Sequence, residues 1–99
     1  MVKHIVQFKL LPDLEASEKQ MVMERFKSKI LSLPQKLSII RSIEIGFNIN
    51  EDEHWDICLV ATFDTLANVR TYSVFPDHKE AASEIKPYVE MRSCVDFEY

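Results

Sequence analysis

The 99-residue chain carries a single glycine, Gly46, only two cysteines, and no apolar run near the length of a membrane span. Cys58 and Cys94 lack CxxC spacing and fall on separate strand patterns. They read as small buried apolar side chains, and sequence alone cannot bring their Cα atoms close enough for a disulfide. His4, His54 and His78 show neither HxxxH nor HxH spacing, so no metal site is expected. Basic residues are also short: 12 Lys and Arg stand against 16 Asp and Glu, giving a net charge of −4. The basic residues are scattered, which disfavours nucleic acid as a partner. No charged start leads into an apolar block with a small-residue cleavage site, so the expected location is cytoplasmic, with no membrane partner. Repeats, low-complexity tracts and linkers are absent, and the length suits one domain over residues 1–99.

What remains is regular patterning, with 46% hydrophobic and 28% charged residues, as in a folded globular chain. Residues 2–10 alternate: Val2, His4, Val6, Phe8 and Leu10 share one face, and His4 is its only polar member. After Pro12-Asp13 the period becomes helical from about Leu14 to Leu33. Val22, Phe26, Ile30 and Leu33 form the apolar stripe, Asp13 or Ser17 is placed to cap it, and Pro34 stops it. Residues 39–50 alternate again, with Ile39, Ile43, Ile45, Phe47 and Ile49 of one parity. Gly46 lies inside this strand, where glycine often marks a bulge or a close backbone approach. A polar turn over 50–54 leads into a return strand, 55–64, with Trp55, Ile57, Leu59, Ala61 and Phe63 on its inner face. Asp64 or Thr65 caps a short helix bearing Leu66, Val69 and Tyr72. Phe75-Pro76 interrupts it, and His78, Ala82, Ile85 and Val89 resume a helical stripe that Pro87 bends or ends. Residues 91–98 form the last strand, with Met91, Val95 and Phe97 mainly inward and Arg92, Asp96 and Glu98 outward or at an edge.

The order β-α-β-β-α-β defines a ferredoxin-like α+β fold: a four-stranded antiparallel sheet with its helices on one face. Ile5, Ile40, Cys58, Val60 and Cys94 make the second face partly apolar. A two-fold dimer, sheet against sheet, covers it economically.

The stretch Tyr72-Ser73-Val74-Phe75-Pro76-Asp77-His78 carries the chemistry. Both Tyr72 and His78 fall on inward stripes, on either side of a proline break, and His4 is expected to meet them. An imidazole titrates near neutral pH and can take a proton from carbon; a phenol can donate to an oxygen. Each also has a structural reading. His78 can bond a backbone carbonyl and hold the Pro76 turn, Tyr72 can be a core aromatic with its hydroxyl tied to a neighbour, and His4 can be a satisfied core histidine.

The chain resembles the stress-responsive dimeric α/β-barrel (Dabb) family over nearly its whole length. The resemblance rests on Val2-Lys3-His4-Ile5-Val6-Gln7-Phe8-Lys9, Gly46-Phe47-Asn48, Ala61-Thr62-Phe63, the Tyr72–His78 segment, and Cys94-Val95-Asp96-Phe97-Glu98-Tyr99. The family's segment reads Tyr-x-x-His-Pro-x-His. Phe75 replaces its first histidine here, so any role of that residue is lost, while Tyr72 and His78 are kept. The resemblance implies a homodimeric barrel and a small organic ligand held between sheet and helices. His4, Phe8, Phe26 and Leu59 are the expected pocket residues. The polyketide-cyclase members imply, further, a lyase or cyclase reaction without metal or organic cofactor, with His78 as general base and Tyr72 polarising a carbonyl. A haem- or quinone-handling role, with His78 as a haem ligand, follows from fold analogy alone.

Overall fold

Strand β1 (Val2–Leu10) runs through the middle of the sheet, paired antiparallel with β3 (Ile57–Phe63) on one side and β4 (Val89–Glu98) on the other. Strand β2 (Ser42–Phe47) pairs with β3, giving the order β2-β3-β1-β4. This is the ferredoxin-like sheet expected from the element order. The computed structural model describes all residues, Met1–Tyr99. Helix α1 (Ala16–Leu31) and the pair α2 (Leu66–Val74) and α3 (Pro76–Ile85) cover one face. No helix is long and apolar enough to cross a membrane.

The core lies between that face and the helices. Val2, Val6 and Leu10 from β1 and Ile57, Leu59, Ala61 and Phe63 from β3 meet Val22, Phe26 and Ile30 of α1, with Leu33 following. The alternation of β1 and β3 and the stripe of α1 are therefore as expected. Burying a side chain of this size contributes roughly 1.5–3 kcal/mol, which makes parity the strongest constraint on strand register.

Several boundaries differ. Helix α1 begins at Ala16 with Glu15 at its N-cap and no side-chain cap, so neither Asp13 nor Ser17 serves. It ends at Leu31; Pro34 sits inside a following 3₁₀ turn, Leu33–Gln35, rather than at the helix stop. Strand β2 is six residues long, because Ile40 turns into the core ahead of it and Ile49 projects into solvent beyond it. Gly46 pairs with Cys58 in an unbroken register, has no positive φ, and a Cβ there would meet nothing within 4 Å. It is neither a bulge nor a close approach within the chain. Thr65 caps α2 as expected, its hydroxyl accepting from the Asn68 N–H at 3.1 Å.

The main correction concerns β4. Asp96, Cys94 and Arg92 stand opposite His4, Val6 and Phe8, so they share the helix-covered face. Met91, Val95 and Phe97 therefore point to the open face, where they are 53%, 59% and 41% exposed. The inward and outward sets are the reverse of the expectation. The cause is the edge position of β4: the helices leave its length partly uncovered, so polar residues stay wet on the helix side. Cys94 accordingly leaves the apolar open face and is exposed, not buried, and Ile40 leaves that face for the core. Ile5, Cys58 and Val60 stay on the open face, joined by Met91, Val95 and Phe97.

Candidate functional site

The break between α2 and α3 sets the positions of Tyr72 and His78. Phe75 takes an extended conformation, φ −62° and ψ 131°, as a residue before proline prefers, and Pro76 opens α3 at its first position. Ending α2 there leaves the carbonyls of its last turn without helical partners. His78 reaches back to one of them: Nδ1 lies 3.2 Å from the Ser73 carbonyl oxygen. Since a carbonyl only accepts, Nδ1 carries the proton, and Nε2 of the neutral ring is left with its lone pair. Thus the carbonyl bond expected of a structural histidine is present, and it also orients the ring.

That ring packs on Tyr72, with centroids 4.3 Å apart. Tyr72 is wholly buried between His78, Phe63 at 5.2 Å and His4 at 5.9 Å. Its hydroxyl has no hydrogen-bond partner. The expected tie to a neighbour is missing, although an unmade hydrogen bond at a buried hydroxyl costs about 1–3 kcal/mol. Burial pushes the phenol strongly upward from its usual pKa, so it remains a neutral donor across any working pH. Burial pulls the His78 pKa below the usual histidine value; the bond to Ser73 opposes this, and His4 and Arg92 nearby add to it. His78 is therefore mainly neutral at pH 7 and able to accept a proton.

Strands β1 and β4 supply the other side. His4 is buried, and its Nδ1 lies 2.5 Å from Asp96 Oδ1. The carboxylate accepts from the ring N–H, which turns His4 Nε2 away from Asp96. Cys94 lies 3.6 Å from His4 Nδ1 and 3.8 Å from Asp96 Oδ2. Partial desolvation by its neighbours, and then the Asp96 charge, raise the thiol pKa, so the exposed Cys94 stays a thiol rather than a reactive thiolate. Together the three residues form a group that local spacing could not show, with donor atoms within 4.8 Å of one another. Ligands on one tetrahedral zinc sit about 3.3 Å apart for nitrogen and oxygen, so the 2.5 Å contact is the geometry of a hydrogen bond, not of a shared ion.

A cavity of about 220 Å³ opens among these groups. Tyr72 and His78 line it, as do His4, Phe8, Phe26 and Leu59, so all six residues singled out in the sequence reach one space. Ala82 and Ile85 of α3 line it too, with Val89, which opens β4 rather than continuing the helical stripe. Five contributors were not anticipated as site residues: Val6, Ile30, Ser73, Lys86 and Arg92. Arg92 was missed because the parity of β4 was read in reverse. The i, i+2 spacing of Arg92, Cys94 and Asp96 was the available signal, once His4 needed a partner. Chemically, the space offers a neutral phenol donor, a neutral imidazole acceptor and an apolar wall.

A solved dimeric protein of unknown function with a ferredoxin-like fold, from Bacteroides fragilis, is 46% identical, with 99% of this chain and 95% of that one covered and a TM-score of 0.97. A dimeric ferredoxin-like protein of unknown function from Thermobifida fusca is 22% identical, covering 99% and 90%, at a TM-score of 0.81. The hydroxynitrile lyase of Passiflora edulis shares the fold at 16% identity, covering 97% and 90%, with a TM-score of 0.74. No curated protein matches the chain. The model of the stress responsive A/B barrel domain matches residues 2–99, and with that match across all four strands and the helices between them, the chain belongs to the stress responsive A/B barrel domain family.

Proposed function

We propose that this chain is a homodimeric binding domain for a small organic molecule bearing a carbonyl group, held in the cavity between sheet and helices. The observation that carries this reading is the unpartnered, fully buried hydroxyl of Tyr72, a residue that lines the cavity. A carbonyl oxygen pressed against that wall supplies the acceptor that the protein does not, and recovers the cost of the unmade bond. The expected residues His4, Phe8, Phe26 and Leu59 would contact the ligand body. Pairing would occur through the open sheet face, where Met91, Val95 and Phe97 are exposed; the dimeric state of the Bacteroides fragilis protein supports this.

A second reading adds turnover, and a specific arrangement favours it. His78 holds its proton on Nδ1 and packs on the buried Tyr72, so a ring with a free Nε2 lone pair and a phenol line one small space. A carbonyl compound bound there could lose a proton from the adjacent carbon to His78 while Tyr72 donates to the developing enolate oxygen. That is the chemistry of a cofactor-free lyase or cyclase, and a lyase is known on this fold in the Passiflora edulis protein.

Ala82 lines the cavity without being part of either pair. Ala82→Leu should fill the space, keep the thermal midpoint within a few degrees, and abolish binding of small ketones such as 2-heptanone, followed by amide chemical shifts. Retained binding in the filled variant would move the ligand site elsewhere. Loss of the 2-heptanone α-proton signal in deuterated buffer, present in the wild type and absent in His78→Gln, separates turnover from binding alone.

A further inference from the structure

Of the fourteen side chains lining the cavity, only Ser73, Lys86 and Arg92 are exposed; the others are buried or half-buried. Those three therefore mark its mouth. Two of the three are cations, and no Asp or Glu lines the cavity, although acidic residues outnumber basic ones in the chain. Neither cation is paired. Lys9, Lys19, Arg25, Lys29, Lys36 and Arg41 each reach a carboxylate, whereas Lys86 and Arg92, like Lys3, Lys27, Arg70 and Lys79, take part in no ion pair, and of those six only these two line the cavity. Arg92 lies close enough to His78 to disfavour its protonation, so its charge is felt inside the space.

We propose that the ligand carries a carboxylate at its outer end, held by Arg92 and Lys86 at the mouth, with an apolar body lying inward toward Tyr72. The inference rests on the cavity reading above and names the class of molecule that fits it. Two unpaired cations beside a low-dielectric wall concentrate the field and attract an anion. A guanidinium offers two parallel N–H groups that match a carboxylate's two oxygens, and a lysine ammonium adds a point charge beside it. Nine of the fourteen lining residues are apolar, so the charged end belongs outside and the hydrocarbon within. The volume of about 220 Å³ lies below the roughly 300 Å³ at which drug-sized pockets begin, which selects a short monocarboxylate. With a carbonyl opposite Tyr72, the ligand is a small keto acid.

Titration of the full chain with hexanoate, 1-hexanol and acetate, followed by amide chemical shifts, tests this. Hexanoate should bind about tenfold or more tightly than 1-hexanol, in line with a charge-assisted contact, and acetate should bind most weakly. Arg92→Gln should remove that advantage while leaving 1-hexanol affinity unchanged. Lys86→Gln should give the same selective loss, and it stands as the reporter if Arg92→Gln folds poorly. Equal affinity for hexanoate and 1-hexanol, or equal weakening of both in the variants, overturns the carboxylate and leaves the cavity reading intact. Absence of saturable shifts with either six-carbon probe overturns both.

Discussion

His4 and Asp96 are joined by a 2.5 Å hydrogen bond that ties the first strand to the last across 92 positions of sequence. The bond fixes which His4 nitrogen carries a proton and holds the ring edge-on to Tyr72 and Phe63. Asp96→Ala leaves a buried ring N–H without an acceptor and should cost about 1–3 kcal/mol in urea denaturation. Asp96→Asn retains an accepting oxygen and should recover most of that loss. Equal loss in both variants would mean that the charge, rather than the acceptor, holds His4.

Tyr72→Phe deletes a hydroxyl that is paired with nothing. The substitution should leave stability unchanged or raise it by about 1 kcal/mol, because a buried unsatisfied group disappears at almost constant volume. Binding of a carbonyl ligand should weaken in the same variant. A marked loss of stability would reveal a partner for the hydroxyl inside the folded protein and remove the main support for the ligand.

The pH dependence of stability has a definite sign at His78. Its folded pKa lies below the ordinary value of 6.5, chiefly through burial. The unfolded chain therefore binds the proton first as pH falls, and stability drops from about 6.5 downward until the folded pKa is passed. His78→Gln should flatten this part of the urea-midpoint profile between pH 7 and 5. Any turnover should fade over the same acid range, with an inflection below 6.5, because protonated His78 cannot act as a base. A profile unchanged by the substitution would assign the titration to another group.

Val95 pairs with Ile5 on the open sheet face and is 59% exposed in the single chain. Val95→Lys places a charge there at little cost to the monomer fold. Sedimentation should show a dimer for the wild type and a shift toward monomer for the variant, together with a concentration-dependent thermal midpoint. A dimer of undiminished affinity would locate the interface elsewhere.

Much of the fold was legible because burial imposes simple periods. Val2, His4, Val6, Phe8 and Leu10, then Ile57, Leu59, Ala61 and Phe63, repeat every second residue, and Val22, Phe26 and Ile30 repeat every fourth. Strand β4 broke the rule for a physical reason. An edge strand partly uncovered by helices keeps polar side chains on the helix side, and its apolar Met91, Val95 and Phe97 lie on the open face, so apolar character alone points to the wrong side of the sheet.

The sequence by itself determined the element order, the four strands, the core stripes and the break at Pro76, since each follows from local spacing or from the fixed geometry of proline. It also placed Tyr72 and His78 inward. Only the tertiary structure decided how they are used. The orphan Ser73 carbonyl that sets the His78 proton, the missing partner of the Tyr72 hydroxyl, the Asp96 bond to His4 and the unpaired cations at the mouth all depend on distances between chain segments. Hydrogen bonds act over about 3 Å in space, and no periodicity in one dimension records them.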